Sequence, residues 1–312
     1  MTPRRERAAR RALVGLVAAA TIAVGLAWPA PASVTATYTV WTWNVAGWAM
    51  HAGSATDALV PTISSSVRDS GAQLVALNEL CEKQYRAVLA SLRAAGWPDD
   101  PSNFARFEPQ GITACGGQAF GLAIFSTAPL GAANRYTLSS DGTSEGRRLL
   151  CAPLTSRPHL RFCTSHITPA NDVINGDNVN ETQLNEVRSR LESFDAAGDT
   201  VLLAGDLNAQ PHFGRLDNWY DPAVATAYNS SNSGAYRELD DAEARCPGYG
   251  ETTTPGTRGG LCGQSPKVDM VFVRADRVVG SYSADSLPIP SCGASPCSDH
   301  RILLGTVQVS VG

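Results

Sequence analysis

The sequence predicts an α+β fold in which two β-sheets pack face to face with helices outside them. Three observations lead there. Short apolar or alternating runs of strand length recur along the 312 residues. Stretches with helical spacing are few and lie between those runs. Polar residues gather where strands end, which marks one rim of the sandwich as the place for a site.

The chain opens on Arg4, Arg5, Arg7, Arg10 and Arg11, an apolar run over 12–28, and the small residues Ala30, Pro31 and Ala32. That is the pattern of a cleaved export signal over residues 1–32. A membrane anchor is the rival reading, and the Ala- and Gly-rich run favours cleavage. The remainder, 33–312, has no linker-like stretch and no repeat, so a single domain is expected.

Residues 38–44 alternate aromatic and β-branched side chains, and 73–77 is a short apolar run ending at Asn78-Glu79. Both read as buried strands. Between them, 56–69 has helical spacing through Leu59, Ile63 and Val67. A second helix is expected over 82–95, with Tyr85, Val88, Leu89 and Leu92 on one face and Gly96 behind it. Strands follow at 120–126, 148–154 and 160–167. A third helix then places Leu184, Val187 and Leu191 inward, with Asn180 as its cap and Gln183 three residues on. Further strands fall at 201–204, 268–273 and 302–309. The stretch 208–267, rich in Gly, Asn, Ser and Pro, reads as long surface loops.

Charge and cysteines narrow the function. Without residues 1–32, 20 Lys and Arg stand against 28 Asp and Glu, a net of −8. Bulk attraction to a polyanion is disfavoured, so a phosphate substrate needs a bound cation and local Arg. The eight cysteines, an even number in an exported chain, predict up to four disulfides. Cys151 with Cys163 would staple neighbouring strands, and Cys292 with Cys297 would close a small loop. A zinc site is disfavoured by the lack of any Cys-x-x-Cys pair.

Six strand-end signals carry the candidate chemistry: Asn44, Glu79, His166, Asp206 with Asn208, Asp269, and Asp299-His300. Singly, each has a plain explanation as a turn former, a cap or a packed histidine. Together they supply what phosphodiester hydrolysis needs: a hard cation, an activated water, and donors to phosphoryl oxygens. Glu79 and Asn44 offer oxygen ligands of the kind Mg²⁺ prefers, and Mn²⁺ or Ca²⁺ would fit similar chemistry. His300 can take a proton from water with Asp269 orienting it. Asp206 can orient that water, Asn208 and His166 can donate to the phosphate, and Asp299 suits a metal or water contact.

In this order, Trp43-Asn44-Val45, Asn78-Glu79, Ser165-His166, Gly205-Asp206-Leu207-Asn208, Lys267-Val268-Asp269 and Ser298-Asp299-His300 resemble the endonuclease/exonuclease/phosphatase superfamily. The resemblance implies a four-layer αββα sandwich (DNase I-like). It implies metal places at Asn44, Glu79 and Asp299, a phosphate-contacting His166, a water-orienting and phosphate-binding pair in Asp206 and Asn208, and an acid-histidine dyad in Asp269 and His300. One departure stands out: the strand 120–126 lacks the phosphate-contacting Tyr of many family nucleases, and Arg147 or Arg148 is the candidate substitute.

The expected function is therefore a secreted, extracellular, metal-dependent phosphodiesterase, foremost a nuclease acting on DNA with little sequence preference. It is expected to work as a monomer with no protein partner. A sphingomyelinase-type phospholipase C is the second enzymatic reading, with the loop Gly47-Trp48-Ala49-Met50 to meet a lipid phosphodiester. A non-catalytic binder on the same scaffold is the third. Lys-poor loops over 208–266 argue against a phosphomonoesterase for multiply phosphorylated substrates.

Overall fold

Two six-stranded sheets form the centre of the molecule. In the computed structural model the described residues are 33–111, 114–169, 173–174 and 176–312. The expected export signal falls on 1–32, outside them; Ser33–Gly312 packs as a unit by itself. The first sheet runs β13 (Val278–Leu287), β16 (Ile302–Val311), β1 (Val34–Asn44), β2 (Leu74–Cys81), β4 (Phe120–Ser126) and β3 (Ala105–Gly111). The second runs β11 (Tyr236–Glu238), β12 (Asp269–Arg274), β10 (Thr200–Asp206), β7 (Arg157–Ser165), β6 (Arg148–Leu154) and β5 (Asn134–Thr137). Two small ribbons, β8 (Val173–Ile174) with β9 (Asp177–Asn178) and β14 (Ser291–Cys292) with β15 (Ser295–Pro296), lie apart from the sheets.

Alternation builds the layers. Val40, Leu74, Ala76 and Ile124 of the first sheet meet Leu150, Phe162, Leu202 and Val271 of the second in the central core. The opposite face of the first sheet, with Trp41, Trp43, Val75 and Phe125, is covered by α1 (Leu59–Asp69) and α2 (Glu82–Ala94). The outer face of the second, with Cys151, Cys163, Leu203 and Phe272, is covered by α3 (Val179–Ala196) through Leu184, Val187 and Leu191. Strands buried on both faces explain why their sequences read as continuous apolar runs. Each fully buried Leu or Ile contributes roughly 1.5–3 kcal/mol. The result is the αββα sandwich.

Three local differences have physical causes. α1 begins at Leu59, because Ser54 Oγ holds the Thr56 and Asp57 amides in a turn and Asp57 Oδ1 accepts from Leu59 N at 3.1 Å. The cap of α3 is Asn178, whose side chain accepts from Glu181 N, and Asn180 lies inside the helix. Asn180 Nδ2 instead donates to Thr168 O (2.7 Å) and Leu207 O (3.2 Å), while Gln183 binds Thr168 N and Ser139 O. The helix therefore anchors the two loops that follow β7 and β10. Finally, 208–267 is not all surface: Trp219, Tyr220, Tyr236 and Tyr249 are fully buried within it.

All eight cysteines are paired: Cys81–Cys115, Cys151–Cys163, Cys246–Cys262 and Cys292–Cys297. Cys151 and Cys163 are direct cross-strand partners of β6 and β7, with Cα atoms 4.0 Å apart. Among the described residues no helix is long and apolar enough to cross a membrane.

Candidate functional site

Strand directions bring the candidate residues to one rim. β1 and β2 run parallel, as do β7 and β10, so Asn44, Glu79, His166 and Asp206 all lie at or just past carboxyl ends. β12 is antiparallel to β10, which sets Asp269 opposite Asp206, and β16 is antiparallel to β1, which brings His300 to the same edge. Crevices at such ends are where ligands bind in many layered folds.

Asn44 is buried and donates through Nδ2 to Glu79 Oε1 (2.9 Å) and Asp206 Oδ2 (3.0 Å). Its own Oδ1 accepts from Ala46 N. Glu79 is aimed by a bulge: one extra residue of β2 between Leu77 and Leu80 faces β4, and Glu79 adopts φ +57°. Ala46 and Asn208 also take left-handed conformations, at φ 45° and 47°, so three of the six such non-glycine positions among the described residues lie at this rim. Next to Glu79, Asn78 spans the sheets, donating to Thr164 Oγ1 and accepting from Asp206 N at 2.8 Å.

The histidines stand around Asp206. His166 Nε2 lies 3.6 Å from Asp206 Oδ2 and 3.8 Å from Glu79 Oε1. His300 Nε2 lies 3.7 Å from Asp206 Oδ2, and its Nδ1 is 2.8 Å from Asp269 Oδ2. Trp43 Nε1 donates to His300 O, and Ser298 Oγ donates to Asn44 O while accepting from His300 N, so the 298–300 segment is fastened to the end of β1. Asn208 is held in place by two donations, its amide N to Asp206 Oδ1 (2.9 Å) and its Nδ2 to Ile167 O. Asp299 is exposed beside His300.

Electrostatics follow from that crowding. Burial opposes charge on His300, but Asp269 and Asp206 outweigh it and hold the imidazolium up to about 10. Burial likewise opposes charge on His166, and Glu145, Asp206 and Glu79 raise it. Burial and then the neighbouring Asp269 push Asp206 up, against the pull of both histidines. Among the described residues, acidic groups crowd this rim, where Arg147 lies against His166 and Arg215 reaches Asn208 O, and the rim calls for positive charge. Asp206, Asp269 and His300 offer ligand atoms within 4.8 Å of one another, and Asp269 Oδ1 is buried without a hydrogen-bond partner. The Glu79 carboxylate, 26% exposed, reaches solvent at the same spot. This oxygen-rich donor set fits a hard divalent cation.

One contributor escapes sequence reasoning, and another is one of two candidates it left open. Glu145 sits 3.3 Å from His166 Nδ1 on a loop whose sequence, Gly142-Thr143-Ser144-Glu145, reads only as a turn. Arg147, one of the two arginines offered as a charge for the phosphate, is 4% exposed and donates to Asp141 (2.9 Å) and Glu145 (2.7 Å), with Nη1 3.3 Å from His166 Nδ1. Arg148 turns away to Glu108.

Comparison with known proteins bears on the fold and the family. No curated protein matches the chain. The human Nocturnin catalytic domain with bound sulfate anion superposes with TM-score 0.61 at 14% identity, covering 90% of this chain and 97% of that one. A family protein from Bacteroides thetaiotaomicron gives 0.59 at 12%, over 88% and 99%. Truncated TDP2 of Caenorhabditis elegans gives 0.57 at 13%, over 87% and 97%. At such identities the likeness is one of fold. The sequence model of the family described as endonuclease/exonuclease/phosphatase matches residues 41–300, and the chain belongs to that family.

Proposed function

We propose that the protein is a secreted, metal-dependent phosphodiesterase that cuts DNA with little sequence preference. The observation that carries this reading is the single contact chain Glu79–Asn44–Asp206–His300–Asp269, with His166 against Asp206, drawn from both sheets to one rim. Glu79 is the residue best placed to hold a divalent ion, with Asn44 fixing its carboxylate and Asp299 at the margin. When bound, such an ion supplies positive charge to a phosphoryl oxygen. Asp269 keeps the His300 ring in place through Nδ1, and a cation bound among these carboxylates would offset the negative charge that otherwise keeps the ring protonated, leaving Nε2 to take the proton of the attacking water. Asp206, itself fixed by Asn78 and Asn44, orients that water. His166 donates to the phosphate or the departing oxygen, and Asn208 holds the loop beside it while offering its amide to the phosphate.

Export fits the chemistry of the cysteines, since four disulfides persist in an oxidising compartment. Cleavage of 1–32 and a single working domain over 33–312 complete the proposal. A phospholipid phosphodiester is the second reading, favoured by Trp48 and Met50, each 39% exposed on the turn after β1.

The test is product release by the purified, oxidised protein from plasmid DNA and from sphingomyelin liposomes in parallel, with Mg²⁺ or with EDTA. Nicking that needs Mg²⁺ and falls by at least about 10²-fold in Glu79→Ala and His300→Ala is expected. Choline-phosphate release without nicking would transfer the protein to the lipid class, and silence on both with unchanged metal binding would make it a binder.

A further inference from the structure

The turn that follows Asn44 is built to present one aromatic side chain. Val45 N and Gly47 N donate to Asn78 O and Glu79 O, Gly53 N donates to Gly47 O, and Gln84 Nε2 donates to Gly47 O at 2.9 Å. A Cβ at Gly47 would collide with Gln84 Oε1 and come against Glu79 O, so the turn sits directly on β2. Ala46 preceding it is left-handed. With its backbone pressed against the bulge that aims Glu79, the turn holds Trp48 at the protein surface, 39% exposed.

Beside it lies a cleft of about 340 Å³ that includes Glu79 itself, a size within the usual small-ligand range of roughly 300–1,000 Å³. Trp48 and Phe120 give it aromatic lining, and Thr143, Glu145 and Arg147 give it polar lining. The Cys81–Cys115 disulfide, packed with Phe120, fixes the ground under the aromatic part. Arg147 is pinned between Asp141 and Glu145 and touches His166, so the polar part is continuous with the reaction rim. The Glu145 carboxylate remains 27% exposed there.

We propose that this cleft is a subsite for the nucleobase of the nucleotide adjoining the scissile phosphate, with Trp48 as the stacking residue. The inference rests on the nuclease reading and specifies its substrate contact. A flat aromatic face is sequence-tolerant because every base has a π-face. The Glu145 carboxylate accepts hydrogen bonds, which suits the exocyclic amino groups of adenine, cytosine and guanine and penalises a hydrocarbon tail that would desolvate it. Since Glu79 lines the cleft and also contacts the rim, a base seated against Trp48 lies one nucleotide unit from the phosphate.

Equilibrium binding tests this without any turnover. The purified, oxidised protein with Mg²⁺ is titrated calorimetrically with dAMP, with 2-deoxyribose 5-phosphate and with hexyl phosphate. The wild type should bind dAMP roughly tenfold more tightly than the sugar phosphate, the size expected for one stacked base. Trp48→Ala should erase that difference while leaving sugar phosphate affinity unchanged, and Trp48→Phe should keep most of it at an unaltered melting temperature. Equal wild-type affinities for dAMP and sugar phosphate would overturn the proposal, as would a Trp48→Ala loss shared equally by both ligands. Tighter binding of hexyl phosphate than of dAMP would also overturn it and assign the cleft to an apolar tail. Plasmid nicking distinguishes the two levels: nicking with equal affinities for dAMP and the sugar phosphate removes the subsite and keeps the nuclease, and tighter dAMP binding without nicking does the reverse.

Discussion

Single side chains decide how the rim works, and Asp269 is the sharpest case. It is fully buried, one oxygen bonds His300 Nδ1 at 2.8 Å, and the Thr253 hydroxyl accepts from its amide. Asp269→Asn keeps shape and removes the charge that stabilises a cationic His300. Single-turnover rates at saturating Mg²⁺ should fall by about 10²-fold or more; a rate near wild type would break the dyad assignment. Asp141 is different in kind, a structural carboxylate under Arg147. Burial works against its ionisation, but hydrogen bonds from Thr143 and then Arg147 prevail and lower it to about 2. Its folded value lies below the ordinary 3.8, so its stabilisation is complete above about pH 4 and disappears as pH falls toward 2. Asp141→Asn should therefore cost about 2 kcal/mol in urea unfolding at pH 6, with the two curves converging near pH 2. The candidate residues were readable in the sequence because each stands at or beside the end of a strand-like run. Glu145 was not, because a turn looks the same whether it faces solvent or a histidine, and the choice between Arg147 and Arg148 was open for the same reason.

At the level of elements, the central strands were legible and the edges were not. β4 and β6 match their expected bounds, since burial on both faces leaves an uninterrupted apolar signal. β13, in contrast, alternates exposed polar residues and glycine at a sheet edge, and β3 contains Pro109, so neither announces itself. The pairing of β10 with β7 is where an element's packing controls the site. A Cβ at Gly205 would strike Ser165 O, and Gly205 precedes Asp206, whose amide is held by Asn78. Gly205→Ala should push the strand ends apart, costing about 1–3 kcal/mol. It should also lower kcat more than it raises KM, because Asp206 then leaves the reach of both histidines. A variant that is less stable but turns over at the wild-type rate would show that close strand contact is not what places Asp206.

For the molecule as a whole, charge is the property that sets it apart from a basic nucleic-acid binder. The full chain carries a formal net charge of −4, and 33–312 carries −8. Attraction to DNA must come from the rim itself, where Arg147 is already committed to two carboxylates. Counterion release scales with the number of phosphates neutralised by the protein, at a slope of about −0.9 per phosphate. A protein making 6–10 such contacts loses about 10³–10⁵ in affinity between 50 and 200 mM salt. Here one or two are available, so kcat/KM on plasmid DNA should decline only about tenfold or less over that range at fixed Mg²⁺. Initial nicking rates measured against KCl at substrate concentrations below KM give the slope directly. A slope several times steeper would mean that a basic surface away from the rim carries the binding, in contradiction to the acidic balance of the sequence. A shallow slope would place recognition in the metal, the histidines and the stacked base.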